Sequence, residues 1–290
     1  VIFVSNNEQF NKLKNIIKDK KFIKKIFSFE KLTNIEIEYI NLKDLIQNNK
    51  KNIPIHKSLA SRKDPSCIIY TSGTQGNPKG VILSHGGILN NCEGAIDILK
   101  PLLSKEQPRF LTWLPLSHSY EHTVQFVQIT VAARIFYAES IDKLVKNMGD
   151  CSPEIMTAVP RFYQNLYQKI NASFKKATGL KKKLIYKMLE FGLKKIKKEE
   201  LTFLEKLQDK ILEELVRKKI KSQFGGSLKT FVSGGGALDK EVGYFLNAIG
   251  LPTLQGYGLT ETSPVVSCNP IDDIRIDTVG PPFKGNEVKI

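Results

Sequence analysis

Between residues 65 and 160 the chain alternates short apolar runs with longer amphipathic stretches, and this alternation most restricts its fold. Residues 67–70, 110–114, 134–137 and 155–159 are too short for helices and rich in β-branched or aromatic side chains. Helical segments are expected near 119–131 and 140–149, and a helix capped by Ser84 near His85. Strands alternating with helices pack as a largely parallel sheet, because a parallel crossover needs about a dozen residues and a helix supplies them. The run Cys67-Ile68-Ile69-Tyr70 reads as a strand buried on both faces. The pattern resumes with a strand at 228–232, a glycine turn at 234–236, a helix at 238–249 stopped by Gly250, and a strand at 253–255. Residues 286–290 read as the middle of a β-hairpin.

The flanking regions differ in texture. Residues 1–60 carry strand-like runs at 1–4, 25–29 and 35–40, with polar helical stretches between them, and read as part of a βα subdomain. Residues 61–290 read as the main α/β body, with a helical insertion at 160–227. Within the insertion, Phe203, Leu204, Leu207, Ile211, Leu215 and Val216 recur at spacings of three and four, as do Leu184, Met188 and Ile196. Both stripes are read as core contacts.

The chain has 290 residues and a net charge of +15. Residues 169–221 hold 17 Lys and Arg against 7 Asp and Glu, which gives 17 − 7 = +10. This patch reads first as a solvated helical face, with peripheral contact to an anionic membrane as the alternative. The few aromatic residues among the charges do not make the regular stacking platform that a nucleic acid needs, so no nucleic acid is expected. Cys67, Cys92, Cys151 and Cys268 show no CxxC spacing, so they read as reduced thiols of a cytoplasmic protein, not metal ligands. No apolar run reaches 18 residues, so no membrane-spanning helix is expected. Residues 1–5 lack the flanks of a signal peptide. The chain also lacks an initiator Met and is expected to be a piece of a longer protein.

The sharpest chemical signal is Thr71-Ser72-Gly73-Thr74-Gln75-Gly76-Asn77-Pro78-Lys79-Gly80. Three glycines, three hydroxyls and one lysine follow an apolar strand. Glycines let backbone N–H groups approach a phosphate, hydroxyls add donors, and Lys79 adds positive charge. The order differs from G-x-x-x-x-G-K-[ST], and strand-like residues rather than a helix follow.

With Tyr70 before it and Val81 after it, this string resembles the signature of the AMP-forming acyl-CoA synthetase family. Further segments match that family in order: Leu114-Pro115-Leu116-Ser117-His118, Thr157-Ala158-Val159-Pro160, Ser233-Gly234-Gly235-Gly236-Ala237, Gln255-Gly256-Tyr257-Gly258-Leu259-Thr260-Glu261-Thr262, and Thr278-Val279-Gly280-Pro281-Pro282. Gln75 stands where many members carry Thr, Ser or Lys.

The resemblance implies part of the large N-terminal domain of the adenylate-forming fold. It implies that Thr71, Ser72, Gly73, Thr74, Gly76 and Lys79 cradle the ATP phosphates. Gly234, Gly235, Gly236, Ala237, Gln255, Gly256, Tyr257 and Gly258 would border the nucleotide. Thr260 would meet the α-phosphate, Glu261 with Thr71 would hold Mg²⁺, and His118 would lie between carboxylate and nucleotide, with His122 competing for that role. Lys79, His118, Thr260 and Glu261 form the implied catalytic set. ATP, Mg²⁺ and coenzyme A are the implied cofactor and co-substrates. The long basic insertion resembles long-chain members and points to a fatty acid. Adenylation of another carboxylic acid, aryl or amino, and a non-catalytic basic module that binds membrane or nucleic acid are the alternatives. A ribose-binding aspartate, a hinge and a C-terminal-domain lysine have no counterpart before Ile290, so these residues alone are expected to be inactive.

Overall fold

The computed structural model describes residues 1–19, 23–48, 59–72, 76–103 and 106–289. The chain divides into two compact units, Val1–Leu59 and Ala60–Ile290. In the first, strands β1 (Ile2–Val4), β2 (Ile26–Ser28) and β3 (Ile40–Asn41) pair in parallel in that order. Helix α1 (Asn7–Asp19) follows β1, and α2 (Leu42–Asn48) follows β3. Val4, Phe10, Ile17, Ile26 and Leu32 form a small core. The strand expected at 35–40 is reduced to its last residue. Ile35, Ile37 and Tyr39 still pack on this core, but from irregular backbone.

The second unit opens with β4 (Pro65–Thr71) and β5 (Lys79–Ser84), an antiparallel hairpin in a sheet of its own. The expectation of a strand buried on both faces is therefore corrected. Ile69 is buried, while Ile68 and Tyr70 are 57% and 70% exposed. A two-stranded hairpin has one face to cover, so alternate residues stay in solvent. Helix α3 (His85–Leu99) follows, and its Ser84 cap holds, the hydroxyl accepting from Gly87 N–H at 3.1 Å.

The main sheet comprises β6 (Arg109–Thr112), β7 (Arg134–Tyr137), β8 (Ile155–Ala158), β9 (Thr230–Ser233), β10 (Thr253–Gly258) and β11 (Val265–Cys268), in the order β11-β10-β9-β8-β6-β7. Only β11 runs antiparallel to its neighbour. Helix α4 (Ser119–Thr130) joins β6 to β7, and α5 (Leu144–Cys151) joins β7 to β8. The insertion supplies α6 (Pro160–Lys175), α7 (Gly179–Ile196), α8 (Phe203–Leu212), a π-helical turn (Glu213–Arg217) and α9 (Lys218–Ser222), before α10 (Lys240–Ala248). Chain order reverses between β6 and β8, the place where open α/β sheets leave a crevice beyond their carboxyl ends.

Alternate strand residues feed opposite faces. Phe110 and Ile155 pack with Ile88, Cys92 and Val127 from α3 and α4. Leu111 and Met156 pack on the other face with α5, α6, α7 and α10, in a cluster that includes Tyr163, Met188, Phe191, Phe231 and Leu246. At the crossing of α7 and α10, a Cβ on Gly192 would stand 2.2 Å from the Ala248 carbonyl oxygen, so only glycine permits that approach. Buried Arg217 ties the insertion together. Its Nη1 pairs with Asp209 at 2.7 Å, Nη2 donates to Met188 O and Nε to Ala248 O. Burial pushes the Asp209 carboxyl up, but Lys195 and Arg217 outweigh it and leave it below its usual range.

One expected core stripe lies on the surface. Phe203, Leu204, Leu207, Ile211 and Leu215 are all exposed, and only Val216 of the stripe is half-buried and packs against the main core. Their helix instead turns Leu212, Asp209 and Arg217 inward. Periodicity finds an apolar stripe but does not say which face of the helix meets the core. The second stripe holds at two of its three residues: Met188 is fully buried and Leu184 packs against the main core, while Ile196 is half-buried outside it. Residues 286–289 form no strand, against the expected hairpin; Asn286 instead donates to the Val266 carbonyl. Among the described residues no helix is long and apolar enough to cross a membrane.

Candidate active site

The carboxyl ends of β6, β8, β9 and β10 open on a cavity of about 390 Å³. That falls in the lower part of the size range of small-molecule pockets. Its mouth brings together segments far apart in sequence: Thr71 and Ser72, His118 and Ser119, Gly234 and Gly235, and the run from Gly256 to Glu261. Among the residues singled out from sequence, Gly76, Lys79, Gly236, Ala237 and Gln255 do not line it. Gly73 and Thr74 lie outside the described residues.

Each segment has a local cause for its shape. Thr71 pairs directly with Lys79 in the antiparallel β4–β5 ladder, so the motif runs from strand to strand and not from strand to helix as in other phosphate loops. Gly76 sits at φ +83 and Gly235 at φ +78, left-handed positions that favour glycine. His118 caps α4, with Nδ1 accepting from Tyr120 N–H at 3.3 Å, and its ring is exposed at the mouth. Thr260 and Glu261 occupy a short 3₁₀ turn after β10. Thr260 Oγ1 lies 3.1 Å from Ser119 Oγ. Glu261 is exposed and forms no ion pair among the described residues. Gln255, by contrast, accepts from Leu238 N–H and donates to the Thr278 carbonyl, so its side chain braces the turn.

Below the mouth the cavity becomes apolar. Ala95, Ile98 and Leu99 from α3 and Val124 and Val127 from α4 face Phe110, Ile155 and Val232 of the sheet. Ser119 and Val127, both on the wall, are eight residues apart on α4, so the lining runs along about 12 Å of that helix at 1.5 Å per residue. Sequence reasoning did not single out these lining residues, because in the sequence they look like any core contacts.

A polar cluster lies against the channel. Glu121 is fully buried, and its Oε2 accepts from Thr157 Oγ1 at 3.0 Å. Its Oε1 is buried without a hydrogen-bond partner among the described residues. Burial lifts the carboxyl to about 7, against the pull of the Thr157 and Thr112 hydroxyls. Thr112 Oγ1 also accepts from Gln128 Nε2 at 2.9 Å. His122 does not line the cavity; it stacks edge-on against Phe126, and burial lowers its pKa.

A glycine-rich hairpin, a free carboxylate and a deep apolar channel at the carboxyl ends of a parallel sheet define an α/β domain built to hold a polar and an apolar group side by side. The family model for AMP-binding enzymes matches residues 1–290, and the chain belongs to that family of adenylate-forming enzymes. Long chain acyl-CoA synthetase 3 of Arabidopsis thaliana is 30% identical over 303 residues, covering 99% of this chain and 45% of its own length. The ATP-bound structure of MatB from Rhodopseudomonas palustris superposes with a TM-score of 0.63 at 19% identity, over 98% of this chain and 45% of that one. The o-succinylbenzoate coenzyme A synthetase of Bacillus subtilis, solved with ATP and magnesium ion, gives 0.55 at 17% identity, over 86% and 42%. At such identities these two show the fold alone. The chain spans less than half the length of these relatives.

Proposed function

We propose that the protein containing these residues activates a long-chain fatty acid with ATP and passes the acyl group to coenzyme A. The carrying observation is the continuity of the polar mouth with the apolar channel, whose inner end at Leu99, Phe110, Val127 and Ile155 presents no charged group. An acyl chain of matching length displaces water from that wall, at roughly 0.8 kcal/mol per buried methylene. An amino acid would find no counter-charge there. Long-chain acyl-CoA synthetase relatives support the same reading.

In the first half-reaction a carboxylate oxygen bonds to the α-phosphorus and pyrophosphate leaves with the bonding electron pair. In the second, the coenzyme A sulfur bonds to the acyl carbon and AMP leaves. Thr71, Ser72 and, from the paired strand, Lys79 bind phosphate oxygens. Thr260, held by Ser119, donates at the α-phosphate, where charge builds in the transition state. His118 stands between carboxylate and nucleotide, and Gly234, Gly235 and Tyr257 border the base. The donor set fits Mg²⁺: one unpaired carboxylate, Glu261, with hydroxyls nearby, suits a hard ion that takes its other ligands from phosphate and water. When bound, that ion supplies charge neutralisation at the phosphates. Among the described residues no cluster of three His, Cys, Asp or Glu competes for a metal.

The basic stretch 169–221 adds peripheral contact with an anionic membrane, from which a water-insoluble acid would be drawn. ATP–pyrophosphate exchange by the full-length protein tests the catalytic reading. Exchange should depend on palmitate and fall at least tenfold with benzoate or amino acids. Equal exchange with those acids contradicts it.

A further inference from the structure

We propose that the exposed face of the helix from Phe203 to Leu215 docks on an anionic lipid bilayer. This gives the membrane contact proposed above a defined surface, and it holds whichever carboxylate the site activates. Phe203 is 83% exposed, Leu204 67%, Leu207 54%, Ile211 50% and Leu215 49%. They lie on one side of α8 and the π-helical turn, along about 18 Å of helix. The opposite side buries Leu212 and Arg217, so the helix is anchored and its apolar stripe is turned outward.

Lysines frame the stripe. Lys206, Lys210 and Lys219 form no ion pair among the described residues, and neither do Lys182, Lys183 and Lys187 on the neighbouring helix α7. Residues 169–221 carry a net +10.

The combination selects the occupant. A nucleic acid matches the lysines and leaves the stripe in water. A second copy matches the stripe and sets two cationic faces against each other. An anionic bilayer meets both, with its acyl boundary taking the Phe, Leu and Ile side chains and its headgroups taking the lysines.

Co-sedimentation of the full-length protein with phosphatidylcholine vesicles, with and without about 30% phosphatidylglycerol, tests this. Binding should require phosphatidylglycerol and weaken with salt. A variant carrying Leu204→Gln, Leu207→Gln and Ile211→Gln should bind about tenfold more weakly. The same variant should keep wild-type exchange with a water-soluble short-chain acid, which separates loss of docking from loss of the fold or of the catalytic reading. The proposal is overturned if the variant binds as wild type or if vesicle charge has no effect. It is also overturned if the substitutions change molar mass in solution without vesicles, which assigns the face to a second copy. A fall in melting temperature without loss of vesicle binding overturns it as well, by assigning the face to the rest of the protein.

Discussion

Ser119 and Thr260 share a hydrogen bond of 3.1 Å between their hydroxyls, although 141 positions separate them. It joins the first turn of α4 to the turn that carries Glu261, so two motifs that are separate in the sequence act as one wall of the mouth. Ser119 is buried and Thr260 is half-buried, so Thr260 has its rotamer fixed from behind.

Ser119→Ala removes that support. A neutral hydrogen bond contributes about 1 kcal/mol, so exchange should slow by roughly three- to tenfold with little change in melting temperature. The effect should appear in kcat more than in KM for the acid. An unchanged kcat would detach Thr260 from the chemistry.

Gly234 leaves room for the Tyr120 ring. A Cβ there would lie 2.7 Å from Tyr120 Cζ, and the Tyr120 hydroxyl donates to the Val232 carbonyl at 3.0 Å. Gly234→Ala should displace the ring, cost about 1–3 kcal/mol of stability and weaken nucleotide binding. Thermal melting with and without ATP reads both effects.

Glu121 predicts a pH dependence. Its folded pKa of about 7 stands above the ordinary carboxyl value, so the folded state holds the proton more tightly. The stability from this group is full below about pH 4.5 and is lost as pH rises through 7. Glu121→Gln should therefore be more stable than wild type at pH 8, by at most about 3 kcal/mol, with the gap closing toward pH 5. A gap that widens on acidification contradicts the burial account.

Val124 faces the channel from α4. Val124→Phe should narrow it and lower kcat/KM for palmitate by about tenfold or more, while an acid of a few carbons is little affected. A uniform loss across chain lengths would place the acyl group elsewhere.

The alternation of strands and helices was legible because period and length separate a four-residue strand from a helical crossover. Ser84 and Gly250 announced their caps for local steric reasons. The hairpin at 65–84 was not legible as a separate sheet, since an apolar strand looks the same in any sheet. The outward stripe at 203–215 was misread because periodicity carries no direction. Loop residues at the mouth stood out through their glycines and hydroxyls. The channel wall did not, because Phe110, Val127 and Ile155 gain their meaning only when α3 and α4 leave a gap between them. Glu121 did not stand out in the sequence; its burial comes from the tertiary contact with Thr157.

The central claim, adenylation of a fatty acid at this mouth, is tested most directly by one turnover without coenzyme A. Full-length protein mixed with ATP and palmitate should yield palmitoyl-adenylate and pyrophosphate in equal amounts by mass spectrometry. Glu261→Ala should reduce that yield by about a hundredfold. Formation of ADP with an acyl phosphate, or pyrophosphate release that ignores the fatty acid, would contradict the account.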